Sequence, residues 1–354
     1  MKALIEVRYE WTPHRLIADL EGFRVDRVLT RTGRGAFAFN VVNRGLHREI
    51  LLEGRIVVIK STESILPYVG VITEIAEDAA SGVVEVSGDN YASTLYNAAL
   101  DSNAAVSNMD AGKIAANLLM QAQGNGRSLF IEPGVMQGTP LLLASGSINL
   151  GTQSLGAAYD ALAERVNDEW WLEHLVTRTQ IRTYLYWGKR GTDHSATTYL
   201  EEGRDFTGAT YKRDALGALR SVIAVGGGGP VGGRPSVAVS NRPGAMAATA
   251  ERVNFGAAGE LGPLVARDVY AVRPRDDDRT VLADAAKRAY ERPTTARESL
   301  AVTITSRQWA LLNPGDSVSA RFHSLNHGGL IRVIRINAMQ PDESTGECDL
   351  DVTV

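Results

Sequence analysis

The chain has 354 residues, of which 44% are apolar and 22% charged; this suits two or more domains with real cores and excludes a chain disordered by composition. With 37 basic and 41 acidic side chains the formal net charge is -4, which excludes a general polyanion binder. Cys348 is the single cysteine, so neither an intrachain disulfide nor a cysteine-ligated zinc site can form.

The opening Met1-Lys2-Ala3-Leu4-Ile5-Glu6-Val7-Arg8 lacks the apolar core of a secretion signal, and no apolar run reaches the ~18 residues that span a bilayer. Synthesis in a cytoplasm and no membrane span are expected. Ile5, Val7, Tyr9 and Trp11 alternate with Glu6, Arg8 and Glu10, a period of two that predicts a strand with an apolar and a charged face. Phe37, Phe39 and Val41 repeat the pattern, and Arg55–Lys60 reads as a short apolar strand. Val69–Ile75 and Val83–Val86 read as a hairpin joined through Asp78–Gly82. Residues 1–100 are therefore expected to form an antiparallel, barrel-like β-domain.

Residues 101–205 mix periods and predict an α+β domain. Asp110 can cap a helix carrying Ile114, Leu118 and Ala122, which Gly124-Asn125-Gly126 ends. A second helix over about 154–167 places Leu155, Tyr159, Leu162 and Val166 on one face. Trp170-Trp171-Leu172 and Ile181–Trp187 then form a hairpin around Thr177–Gln180. Residues 206–354 return to strands, including Ser221–Val225, Leu300–Ile304 and two last strands after the turn Asn313-Pro314-Gly315-Asp316. Within this third domain, 226–263 is rich in Gly and Ala without a clear period and is expected to be a loop-like insertion, and a helix is expected at about 280–292.

The two β-regions resemble each other. Leu51–Val58 has a counterpart in Leu311–Val318, Gly70–Ile75 in Gly329–Ile334, and Gly82–Val86 in Gly346–Val352, in the same order. A duplicated module is the expectation; two unrelated hairpins sharing strand chemistry is the alternative.

Few residues have the local context that chemistry requires. Gly227–Gly232 fits GxGxxG by letter, but Arg234-Pro235 follows instead of a helix start, so no phosphate cradle is expected. His323 and His327 have metal-like spacing, yet they sit at a strand end and turn. Asp276-Asp277-Asp278 reads as helix capping, not a calcium loop. No GxSxG elbow occurs, and Cys348 shares the apolar face of the last strand. Catalytic, cofactor and metal sites are thus not expected, and neither is an enzyme. The best ligand or interface candidate is the aromatic hairpin of Trp170, Trp171, Tyr184, Tyr186 and Trp187. Because neighbours on a strand face oppositely, one of Trp170 and Trp171 is expected in the core and the other in contact with a partner.

Several segments, in order, resemble the hub proteins at the tip of phage tails: the baseplate hub, the late-control protein D group and the structural N-terminal part of tail-associated lysins. They are Gly35–Val41, Val84–Asp89 with Leu95, the helix before Trp170-Trp171, Phe206–Asp214 leading to Ser221–Gly226, the helix near Thr280 and Leu312–Val318. The resemblance implies a mainly β fold with α+β, in which two tube-type antiparallel barrels flank a helix-plus-hairpin domain. It implies a virion structural protein of the tail tip, a homotrimer joining a six-fold tail tube to a three-fold central fibre or spike. Implied neighbours are a tube or distal tail protein, the tape measure protein and the fibre, with DNA only in transit. Lysins continue past this point; ending at Val354, the chain is expected to be scaffold without hydrolase. Glu85, Glu347, Asp349 and Asp351 are then candidates to face the lumen, where negative charge would keep DNA from adhering. The alternatives are an adsorption protein binding cell-wall carbohydrate through the aromatic hairpin and a tail-associated cell-wall hydrolase.

Overall fold

The alternating apolar runs of the first hundred residues pair into one large antiparallel sheet. Its strands are β1 (Ala3–Tyr9), β2 (Thr12–Ile17), β3 (Val25–Arg27), β5 (Ala36–Val42), β6 (Ile56–Ser61), β7 (Tyr68–Asp78) and β8 (Val83–Asn90), in the order β2-β1-β6-β7-β8-β5-β3. The short β4 (Leu29–Thr30) leaves this sheet. The computed structural model describes residues 3–9, 12–17, 25–27, 29–30, 35–42, 50–61, 67–78, 80, 82–100, 105–106, 109–124, 129–141, 148–149, 154–177, 180–214, 219–226, 249–254, 267–273, 297–305, 307–323, 330–342 and 345–353.

One face of this sheet buries Phe37, Phe39, Val41, Val57, Ile59 and Val86. Phe37 lies across two glycines: a Cβ on Gly70 or Gly88 would come within 2.5 or 2.7 Å of its ring. Part of the opposite face, around Ile56, Val58 and Val69, is covered by helices. That cover encloses part of the charged face of β1. Glu6, paired in register with Val58, is buried, and Lys60 Nζ donates to its carboxylate at 3.2 Å.

The chain continues through α1 (Ser93–Tyr96), β9 (Ala105–Val106), β10 (Met109–Asp110), α2 (Ala111–Gly124), β11 (Ile131–Met136), β12 (Pro140–Leu141), β13 (Ile148–Asn149) and α3 (Leu155–Val166). As expected, Asp110 caps α2, accepting from Lys113 N at 3.1 Å, and the stripe Ile114, Leu118 and Ala122 is buried. Ser154 caps α3 by accepting from Ala157 N, and Asn167 closes it in the left-handed region at φ 56°. The aromatic hairpin is β14 (Glu169–Val176) and β15 (Ile181–Gly188). β11 joins β15 in parallel, a strand that Pro133 and Gly134 hid from a reading by period.

The second large sheet contains β16 (Tyr199–Glu201), β17 (Phe206–Asp214), β21 (Arg297–Ile304), β22 (Ser317–Phe322), β23 (Leu330–Asp342) and β24 (Glu347–Thr353), ordered β16-β22-β23-β24-β21-β17, with β4 added on β23. Of the two large sheets one is a half barrel and the other a nearly closed barrel, so the fold is mainly β as expected. A separate three-stranded sheet orders β18 (Leu219–Gly226) between β19 (Thr249–Asn254) and β20 (Arg267–Arg273). The expected insertion at 226–263 is therefore not loop throughout. β19 is held by a backbone ladder to β18, which needs no side-chain period. The helix expected at 280–292, Gly227–Gly232, Asp276–Asp278 and His327 lie outside the described residues.

The two large sheets repeat one plan. β6-β7-β8-β5-β3 and β22-β23-β24-β21-β17 run in the same order with the same antiparallel pairings. The match extends to single hydrogen bonds. Before β6, Gly54 (φ 79°) donates to Ile72 O at 2.8 Å, and Ile72 N donates to Arg55 O at 3.0 Å. Before β22, Gly315 (φ 100°) donates to Ile336 O at 2.7 Å, and Ile336 N donates to Asp316 O at 2.9 Å. The register shifts just after Ile72 in β7 and just after Ile336 in β23. Gly82 and Gly346, both with positive φ, close the next turns by donating to Asp78 O and Asp342 O at 2.9 Å. Unrelated hairpins have no reason to share a turn glycine, a bulge and a closing turn in this order.

Candidate functional site

The hairpin β14–β15 sorts its aromatics by strand parity. Trp170 and Trp187, paired across the strands, are each 1% exposed and pack edge-on against Tyr159 of α3, at 5.5 and 5.8 Å between centroids. Their indole N–H groups are satisfied by Asp160 Oδ1 (3.0 Å) and Asp168 Oδ2 (3.1 Å). Trp171 and Tyr186 pair on the other face and stack at 5.6 Å with 14° between planes, and both are half-buried, as is Tyr184. Burial, with Glu173 beside it, raises the Tyr186 pKa. An open cavity of about 500 Å³ lies here, lined by Trp171, Tyr186, Gln137, Thr139, Asp168 and Lys189. The geometry puts two of the five candidate aromatics, Trp170 and Trp187, in the core and leaves Trp171, Tyr184 and Tyr186 half-buried.

Beside the stack, Arg190 places its guanidinium 5.7 Å from the Trp171 ring centre. Burial lowers its pKa to about 10, opposed by Glu173, Glu169 and Asp316, so it is cationic at neutral pH. Here the helical region is fastened to the second large sheet. Arg335 of β23 donates to Glu169 Oε2 (3.0 Å), Arg190 O (2.8 Å) and Gly315 O (3.1 Å). Buried Asp316 accepts from Thr192 N (2.7 Å) and Asn313 N (2.8 Å). The turn Asn313–Asp316 stood out in the sequence as a turn, but Glu169, Arg190, Thr192 and Arg335 did not. A glutamate opening a strand between tryptophan and aspartate is the one local hint at Glu169, and it does not name its partner.

One pair of the four candidate acids occupies matching positions in the two repeats. Glu85 on β8 and Asp349 on β24 are exposed and stand at equivalent places, opposite Asn40 and Thr303. Asp351 is also exposed and Glu347 half-buried, on the same face of β24, while Cys348, Leu350 and Val352 fill the core face. Thr303 Oγ1 donates to Asp349 Oδ1 at 2.5 Å. His323 stands at the end of β22, with its ring 3.0 Å from Glu201 Oε1. Among the described residues no three His, Cys, Asp or Glu side chains are grouped to hold a metal ion.

No protein-family model matches the sequence, and no curated protein matches it. Solved structures do. The chain is similar to the 43 kDa tail protein of prophage MuSo2 from Shewanella oneidensis, with a TM-score of 0.66 and 12% identity over 99% of this chain and 98% of that one. A tail protein from Neisseria meningitidis MC58 matches with a TM-score of 0.66 and 15% identity over 100% and 97% of the two chains. Prophage tail protein gp18 from Listeria monocytogenes EGD-e matches with a TM-score of 0.57 and 11% identity over 99% and 94%. Identity this low speaks to architecture alone, and the architecture agrees from end to end: this chain has the fold of phage tail proteins.

Proposed function

We propose that the chain is a structural hub of a phage or phage-derived tail tip, acting as a homotrimer that joins a six-fold tail tube to a three-fold central fibre or spike. The observation that carries this is the repeat of five strands in one order, shared turn by turn. A chain with two equivalent modules supplies two positions in a ring, and three chains supply a pseudo-sixfold one, which matches a trimer to a hexameric tube. The tail-protein fold supports the same reading. Its neighbours would be the tube or distal tail protein, the tape measure protein and the fibre. In this reading the role is scaffolding, with DNA passing the acids on β8 and β24. Imaging particles that carry a C-terminal label tests it. Three copies per ring at the tail tip are expected; six copies, or no label at the tip, would refute the reading.

A second reading is favoured by one observation, the half-buried Trp171–Tyr186 stack beside an open cavity with polar walls. Aromatic faces of this kind bind the apolar faces of sugars. Retention on purified cell-wall glycan that Trp171→Ala abolishes is the result this reading requires.

A further inference from the structure

The two repeats differ at one edge. Beyond Ile336, β23 has β24 on one side and β4, from the first repeat, on the other, with Met339 paired to Leu29 and Ala338 to Thr30. Beyond Ile72, β7 has β8 on one side. On the other side of Glu74–Ala76, no strand pairs among the described residues. Burial follows the difference. Met339 is 1% exposed, whereas its counterpart Ile75 is half-buried; Pro341 is buried, whereas its counterpart Glu77 is exposed. An open strand edge is a template for another strand, and native proteins seldom leave one bare.

We propose that Glu74–Ala76 is the docking edge for a second copy of this chain, and that the strand laid on it comes from the end of β17. This rests on the trimeric reading above. The chain itself supplies the precedent. β4 follows β3, which pairs with β5, and β17 is the counterpart of β3, pairing with β21. Arg27 pairs with Phe37 as Tyr211 pairs with Leu300, so by count Arg213 and Asp214 correspond to Leu29 and Thr30; they stay paired with Glu298 and Arg297 of β21 on one side, and it is the opposite side of the strand that is offered to the next copy. The first repeat thus hands a strand to the second within one chain. The second repeat hands the corresponding strand to the first repeat of the next copy. Such a contact is head-to-tail, joins two different surfaces and closes into a ring.

The test uses the full chain with Glu74→Cys and Asp214→Cys together, a short bismaleimide, and native mass measurement alongside. Cys348 is buried, so the added thiols react first. The expected result is covalent trimer from the double variant and none from either single variant, with amides of 74–76 exchanging more slowly in the oligomer than in dilute protein. A trimer by mass with no link between copies, or with links only inside one copy, overturns the edge and leaves the trimeric reading standing. Covalent dimers from Glu74→Cys alone overturn it in favour of edge-to-edge pairing. A chain that stays monomeric at high concentration overturns it as well. Failure of the trimeric reading itself is seen separately, as six copies per ring in the particle.

Discussion

Two glycines at equivalent positions sit in different surroundings. Gly54 and Gly315 both need a left-handed φ, but a Cβ on Gly54 meets nothing within 4 Å, whereas one on Gly315 would lie 2.7 Å from Arg190 O. Gly54→Ala should therefore cost about 1–2 kcal/mol, the backbone strain alone. Gly315→Ala should cost more than about 3 kcal/mol, because it also forces the fastening at Arg190 apart. Urea unfolding of both variants checks this; equal losses would show that the contact is unimportant. His174 offers a second residue-scale prediction. It lies 3.0 Å from Thr183 Oγ1 and edge-on to Tyr91, and burial lowers its pKa from 6.5 to about 3. The unfolded chain thus binds a proton there that the folded chain refuses. Stability from this group is complete above pH 6.5 and is lost as pH falls towards 3. Melting temperature should drop over that window, and less steeply in His174→Gln. Parallel slopes for the two proteins would contradict it.

At the scale of elements, β14 shows how a period of two divides labour. Trp170 closes the space between α1, α3 and β15, touching Tyr96 and Tyr159, and Trp171 turns to the opposite face. Removing Trp170 opens a cavity that helices cannot readily refill, so Trp170→Ala should cost about 3–5 kcal/mol. Trp171→Ala loses a half-exposed stack and should cost about 1 kcal/mol. Denaturant midpoints with unchanged slopes would confirm the contrast, and similar losses would place Trp171 in the core after all. Both tryptophans were visible in the sequence, as was their opposite facing. Which of them meets α3 was not, because strand parity leaves the choice of face to whatever packs above.

For the whole molecule, matching acids on two equivalent sheets acquire meaning only if the sheets alternate around a ring. Glu85→Lys with Asp349→Lys places reversed charge at corresponding positions of both repeats. If those faces line a lumen, particles should assemble normally and release DNA more slowly. The isolated variant should also gain salt-sensitive DNA binding, with a log–log slope steeper by roughly 0.9 per added phosphate contact. Unchanged release in particles containing the variant would place these acids on the outside.

Local signals in the sequence determined a good deal by themselves. Alternation announced β5 and β24, Asp110 announced the start of α2, the apolar face of Leu155, Tyr159, Leu162 and Val166 announced α3, and Gly82 and Gly346 announced turns. The repeat showed in part: the turns at Gly82 and Gly346 match, because turn chemistry leaves a local trace, but Gly70–Ile75 corresponds to Ile334–Met339 and not to Gly329–Ile334, because a leading glycine does not fix strand register. Tertiary structure alone decided the rest. The burial of Glu6 depends on helices that begin more than eighty residues later. β19 and β4 have little period of their own and exist through ladders with distant strands. The fastening of Glu169 by Arg335 joins groups 166 residues apart. Backbone ladders and charge pairs of this kind satisfy each group with whatever partner the fold delivers, so they impose no spacing that a single chain read in order could display.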